Sequence, residues 1–198
     1  MTPGPDHAEI ETALRGWLAI REPAARAAIE AGLWSRFGHT LTVVVIDMCG
    51  FSRCAHDDGL IGTLAMIGTL RVVIAAVAAR HGGRAIKFEA DNAFLAFAAT
   101  APALAAARDG VTELRAAVSG PSEISVGIDR GPVLLLDGNE LYGEPVNTAS
   151  RLGEDLARRG EILLTLAAAA DLGPDPALQP ATLTVAGRPF PAFALQPA

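Results

Sequence analysis

The sequence predicts an α+β fold: a ferredoxin-like βαββαβ core with additional C-terminal β and α elements and an N-terminal helical extension. Three observations carry that prediction. The run Leu41, Thr42, Val43, Val44, Val45, Ile46 is dominated by β-branched residues and reads as a buried strand. Residues 60–80 are long, apolar and free of proline, and Gly82 and Gly83 stop them, which reads as a helix. Residues 84–89 and 93–97 are two strand-like runs separated only by Ala90, Asp91 and Asn92, a spacing that fits a tight hairpin.

The remaining elements follow in order. Residues 1–7 read as a disordered lead. Residues 8–36 are rich in Ala, Leu, Ile, Arg and Glu, with Ile10, Leu14, Leu18 and Ile29 apolar, and read as helical with a break or kink near Pro23. Trp17 and Trp34 are expected to pack this segment onto the domain or a partner chain. Residues 1–40 therefore form the extension and 41–198 the main domain. An alanine-rich helix covers 102–117. A turn at Gly120 and Pro121 leads into a strand at 123–129, and Arg130, Gly131 and Pro132 separate it from another at 133–136. Asp137 and Gly138 mark a turn. Residues 145–158 read as helical and 161–164 as a short strand. Weak strands at 182–185 and 190–195 close the chain around Gly187, Arg188 and Pro189, and the proline-rich stretch 174–180 reads as a surface loop.

Composition narrows the function. The chain of 198 residues suits one domain with a short extension. A net charge of −6 and a pI near 5.2 argue against non-specific nucleic-acid binding, which needs a basic surface. They leave nucleotide substrates open, because a metal neutralises phosphates locally. Cys49 and Cys54 alone do not make a zinc site and read as free thiols of a reducing cytosol, so a cytoplasmic location is expected. No unbroken apolar run of membrane-spanning length and no signal peptide are evident, so no membrane association is expected.

Three groups of residues could carry chemistry. Asp47 leaves a hydrophobic strand directly, with Met48, Cys49, Gly50 and Phe51 forming a small-residue turn whose amides could meet phosphate oxygens. On spacing alone its plain reading is a cap for the following turn. Asp91 sits at the hairpin tip, next to the first strand in a ferredoxin-like sheet, so the two carboxylates could converge on Mg²⁺ or Mn²⁺. It reads equally as a turn former. Asn147 and Arg151 lie four apart on a predicted helix and share a face, suited to a sugar oxygen and a phosphate. The plain alternative is a surface Arg pairing with Glu144 or Glu154. His56 and His81 read as structural residues at helix ends.

These segments, in this order, resemble the class III adenylyl/guanylyl cyclase catalytic domain. Val43-Val44-Val45-Ile46-Asp47, followed two residues later by Gly50-Phe51-Ser52, resembles that family's opening. His81-Gly82-Gly83 through Lys87 to Asp91 resembles its Gly-Gly…Lys-x-x-Gly-Asp hairpin. Val126-Gly127-Ile128-Asp129-Arg130-Gly131-Pro132 resembles its Gly-Ile-x-x-Gly strand pair. Gly143 through Val146-Asn147-Thr148-Ala149-Ser150-Arg151-Leu152 resembles its Val-Asn-x-Ala-x-Arg-Leu helix. The resemblance spans roughly residues 41–195, and the four motifs in order are far more specific than any one alone.

The resemblance implies a nucleotidyl cyclase that turns ATP or another nucleoside triphosphate into a cyclic nucleotide and pyrophosphate. It implies two metal ions per site, Mg²⁺ or Mn²⁺, held by Asp47 and Asp91 with a main-chain carbonyl from Ile46 or Met48. Lys87 and Glu140 match the pair that reads the base, Asn147 the ribose-orienting residue, and Arg151 the arginine that meets transition-state charge. Phe51 belongs to the substrate side of the opening motif. The family's sites form between subunits, which implies a head-to-tail homodimer. Lys87 only donates and an ionised Glu140 only accepts, a pattern that complements adenine and favours cyclic AMP as product. The alternative is a catalytically weak or inactive nucleotide-binding or dimerisation module.

The match departs at three places. Ala90 stands where the family has glycine before the second metal aspartate, and a positive φ there would disfavour alanine. Glu140 replaces the usual aspartate. Ala186 falls where the family often has a phosphate-binding lysine, with Arg188 two residues on as a substitute.

Overall fold

The computed structural model describes residues 4–49, 59–118, 123–185 and 187–195. The extension is two helices, α1 (Pro5–Ala19) and α2 (Pro23–Phe37). Pro23 does not kink one helix but starts a second, a first-turn position where its missing N–H costs nothing. Glu22 caps α2 by accepting from the amides of Ala24 and Ala25 at 2.9 and 2.6 Å.

The domain is an eight-stranded sheet: β1 (Gly38–Cys49), β2 (Arg84–Glu89), β3 (Asn92–Phe97), β4 (Glu123–Leu136), β5 (Glu140–Tyr142), β6 (Ile162–Thr165), β7 (Leu178–Val185) and β8 (Arg188–Leu195). Its order is β2-β3-β1-β4-β6-β8-β7, with β5 paired to β4. Only β4 and β6 run parallel among these pairs. One face is covered by α3 (Gly59–Arg80), α4 (Thr100–Ala117) and α6 (Leu166–Leu172), which bury Val44, Ile46, Met48, Leu70, Ile74 and Leu104. The other face carries α5 (Glu144–Ser150), which runs on into a π-helical turn (Arg151–Leu156) and packs Ala149 against Val43, Val45 and Phe94.

Several expectations change. The strands expected at 123–129 and 133–136 are one continuous β4. Between residues 129 and 133 the side of β4 away from β1 has no partner strand among the described residues, so Pro132 fits without breaking a ladder there. The helix expected over 145–158 changes character at Arg151, and β5 and α6 have no counterpart among the expected elements. The expected loop at 174–180 gives way to β7 at Leu178. Helix α3, contrary to the reading of no membrane-length run, is long and apolar enough to cross a membrane by length and composition. Met66, Leu70, Ile74 and Val77 are nevertheless core residues, whereas Leu60, Ile61 and Val72 are 72–77% exposed.

Candidate active site

Asp47 lies near the end of β1, paired on one side with Asn92 of β3 and on the other with Ser125 of β4. Residues opposite one another in a ladder share a face. Asp47, Asn92 and Ser125 thus line the sheet face that bears Val45 and Phe94, the face under α5. Burial first, then the neighbouring Asp91 and Glu154 carboxylates, push the Asp47 carboxyl up to about 6, against a smaller lowering by the Ser125 hydroxyl. Glu154, on the π-helical turn, is likewise raised, chiefly by burial and further by Asp155, Glu89 and Asp91. Three carboxylates therefore share one field.

Asp91 occupies the second position of the two-residue turn between β2 and β3. Ala90, just before it, has φ 49°, in the left-handed region expected from the family's glycine. Beside Asp91, the Asn92 side-chain oxygen is buried and has no hydrogen-bond partner among the described residues. A buried acceptor without a donor is costly unless water or a cation meets it.

These donors fit a divalent metal. Among the described residues, no group of three His, Cys, Asp or Glu side chains is poised to hold an ion alone. Two carboxylates plus an amide oxygen nevertheless match the hard-oxygen preference of Mg²⁺ and Mn²⁺ and leave coordination positions for substrate. The Met48 side chain is buried in the core on the other face, so only its main chain is available at the strand end. Gly50, Phe51, Ser52, Cys54 and His56 lie outside the described residues, as does Ala186.

Asn147 on α5 and Arg151 at the head of the π-helical turn line an open cleft of about 440 Å³, with Thr148, Glu154, Val185 and Phe190 in its wall. Among the described residues neither Glu144 nor Glu154 pairs with Arg151, so the expected alternative of a surface ion pair is not realised. Two glycines seat this helix. A Cβ on Gly127 would come within 2.0 Å of the Ala149 carbonyl oxygen, and one on Gly153 within 2.8 Å of the Val45 oxygen. The helix rests directly on the strand backbones, and that contact fixes how far Arg151 stands from the sheet. Arg188 is exposed in the β7–β8 hairpin, whose Val185 and Phe190 form the cleft wall.

Lys87 on the edge strand β2 pairs with Glu89 at 2.8 Å and lies over the Phe94 ring at 4.5 Å. Glu140 on β5 accepts a hydrogen bond from the Tyr142 hydroxyl at 2.7 Å. Each is held by a neighbour on its own strand, not by the other. His81 follows α3 and binds Asp109 at 2.8 Å, the structural role expected of it. Sequence reasoning missed Asn92 and Glu154. Asn92 is the first β3 residue and Glu154 stands one helical turn after Arg151, but their approach to Asp47 depends on strand register and helix packing, which local patterns do not give.

No family profile matches the chain, and no curated protein matches it by sequence. Solved structures do match. The catalytic core of a rhodopsin-guanylyl cyclase with converted specificity, in complex with ATPalphaS, superposes with TM-score 0.72 at 21% identity, over 81% of this chain and 98% of that one. The guanylate cyclase domain of RhGC from Catenaria anguillulae, in complex with GTP, gives 0.71 at 22% identity, over 80% and 96%. The adenylyl cyclase CyaB from P. aeruginosa gives 0.66 at 23% identity, over 81% and 95%. The chain therefore has the fold of the catalytic domains of guanylyl and adenylyl cyclases.

Proposed function

We propose that this protein is a nucleotidyl cyclase, a phosphorus–oxygen lyase that converts ATP to 3′,5′-cyclic AMP and pyrophosphate at a homodimer interface. The observation that carries the reading is the pairing of two incomplete half-sites on one sheet face. One holds mutually repelling carboxylates and an amide oxygen with no hydrogen-bond partner among the described residues; the other holds a guanidinium with no anionic partner among the described residues.

Asp47 and Asp91, with the Asn92 oxygen beside them, are the residues that would hold Mg²⁺ or Mn²⁺. The bound metal supplies acidification of the ribose 3′-hydroxyl and neutralisation of the triphosphate. Asn147 orients the ribose. The 3′-oxygen forms a bond to the α-phosphorus as the α–β bridging bond breaks. Pyrophosphate leaves and the hydroxyl proton passes to solvent. Arg151 meets the charge that develops on the phosphoryl oxygens, preorganised because its helix is seated on backbone. Arg188, exposed beside the cleft, is the residue we assign to the terminal phosphates, and Phe51 is assigned to the substrate side. Lys87 and Glu140 read adenine, donor against ring nitrogen and acceptor against the amino group. Before that, Lys87 must leave Glu89 and Glu140 must share its Tyr142 bond.

A second copy of the chain supplies the complementary half of each site. The exposed apolar residues Leu60, Ile61, Leu64 and Val72 on α3 support association, since such a patch is unusual on a free surface. One observation favours the weaker reading, a poorly active homology domain: the strained Ala90 turn directly precedes Asp91.

The test is incubation with ATP, GTP, CTP and UTP separately, with Mn²⁺ or Mg²⁺ and mass detection of products, beside an Asp47→Ala control. Cyclic AMP that vanishes in the control supports the reading. A different cyclic product overturns the base assignment alone. No product from a folded dimer sinks catalysis and leaves the module.

A further inference from the structure

The amino end of α1 lacks a cap of its own. Its N-cap residue is Gly4, which has no side chain, and Pro5 follows. The cap comes instead from the turn between β4 and β5. The Asp6 and His7 amides donate to the Asp137 carboxylate at 3.0 and 3.3 Å, and the His7 ring Nδ1 lies 2.6 Å from it. In return the Asp137 amide donates to the Asp6 carboxylate at 2.8 Å. A Cβ on Gly4 would stand 2.3 Å from the Asp137 carboxylate, so glycine is what lets the carboxylate take the cap position.

The turn held in this way is a tight one. Asp137 has φ 46° and Gly138 φ 69°, values that an Asp-Gly pair takes readily, and Asn139 closes the turn through its amide to the Leu136 carbonyl at 3.1 Å. Four contacts tie this turn to α1. Beneath them, Ile10 of α1, Phe37 of α2 and Leu136 of β4 form a small buried cluster. The next paired residue after the turn is Glu140, opposite Leu136 in the ladder.

We infer that Asp137, His7 and Asp6 are positioning residues: through this clasp the N-terminal helical extension fixes the β4–β5 turn and so sets where Glu140 stands for base selection. The inference rests on the reading of Glu140 as a base-contacting residue. It assigns the extension a task inside the domain's own chemistry. Opening the clasp leaves the turn and β5 held only by the three-residue ladder to β4, so Glu140, the first residue of β5, is the one freed to shift. Nucleotide discrimination falls before turnover does, because Asn147 and Arg151 are carried by a different element.

The experiment uses the full chain with Gly4→Ala, which pushes a methyl into the clasp, and Asp137→Asn, which keeps tolerance for the left-handed turn but loses the charge. Gly32→Ala on α2 is the control, since a Cβ there meets nothing within 4 Å. Amide hydrogen exchange of residues 139–142 is expected to quicken roughly tenfold in both clasp variants and not in the control, with melting still cooperative. The ratio of kcat/KM for ATP over GTP is expected to fall about fivefold with kcat for the preferred nucleotide within about twofold. Unchanged exchange at 139–142 overturns the inference, because the clasp then only anchors the extension. Faster exchange with unchanged discrimination overturns it too, provided Glu140→Ala shifts discrimination. If Glu140→Ala shifts nothing, or no cyclic nucleotide forms, the reading of Glu140 fails, and the exchange measurement alone decides whether the clasp holds the strand.

Discussion

Asp47 stands on β1 with a ladder on either side, whereas Arg151 begins a π-helical turn and has no carboxylate partner among the described residues. The first region is rigid and crowded with like charge. The second is open and set by how closely a short helix approaches the sheet. One half gathers carboxylates and the other presents a guanidinium, and the proposed metal–triphosphate complex would complement both. The difference separates two kinds of sensitivity: the strand-end half responds to charge, and the cleft half to geometry and to loss of a single donor.

The largest effect is expected in the cleft. Arg151→Ala removes a donor aimed at developing charge and should lower kcat by on the order of 10²–10³. Because Arg151 is exposed and makes no ion pair among the described residues, the melting temperature should not move. Steady-state kinetics beside a thermal melt checks both. A fall in stability that accounts for the lost activity would show the arginine to be structural.

The strand-end half should behave in the opposite sense. The Asp47 carboxyl is raised to about 6 in the folded protein from an ordinary 3.8. Between those values the folded state binds more protons than the unfolded one, so without metal stability falls as pH rises through that window and the cost is complete above it. Asp47→Asn removes the charge and should raise the melting temperature at pH 7 and flatten its fall between pH 4 and 6. Mn²⁺ should stabilise the wild type and leave the variant unmoved. Melting curves at several pH values, with and without Mn²⁺, test this. A variant less stable than the wild type at pH 7 would mean that the carboxylate is satisfied without a cation.

Much of this comparison is legible in the amino-acid sequence. The β-branched run ending at Asp47, the two glycines after α3 and the hairpin around Asp91 each follow from local rules, and the fold contains all three. The change at Arg151 is not legible. Helical periodicity is the same on both sides of it, and the close packing of Gly127 and Gly153 against backbone distant in sequence accompanies the π-helical turn without any local mark. Continuity of β4 through Pro132 is hidden for a similar reason, since it depends on which side of the strand lacks a neighbour. The third carboxylate and the orphaned Asn92 oxygen also need register, which side-chain alternation alone does not supply between strands. The clasp on Asp137 joins residues 131 apart in sequence, and no local signal marks it.

The smallest expected effect sharpens the comparison most. Ala90 holds φ 49° at the turn that presents Asp91. Ala90→Gly removes the steric cost of that conformation but adds freedom to the unfolded chain, so the net gain is at most about 1 kcal/mol. Its value lies in where the gain goes. If the alanine merely strains the turn, the variant melts slightly higher and binds Mn²⁺ as before. If the strain displaces Asp91 from Asp47, metal affinity rises together with stability, while Arg151-dependent kcat at saturating metal stays fixed. Mn²⁺ titration followed by electron paramagnetic resonance, beside the melting curve, separates the two. The proposal of a metal held between these carboxylates predicts the second result, because an aspartate beside a strained residue in a two-residue turn has little room to adjust to an ion.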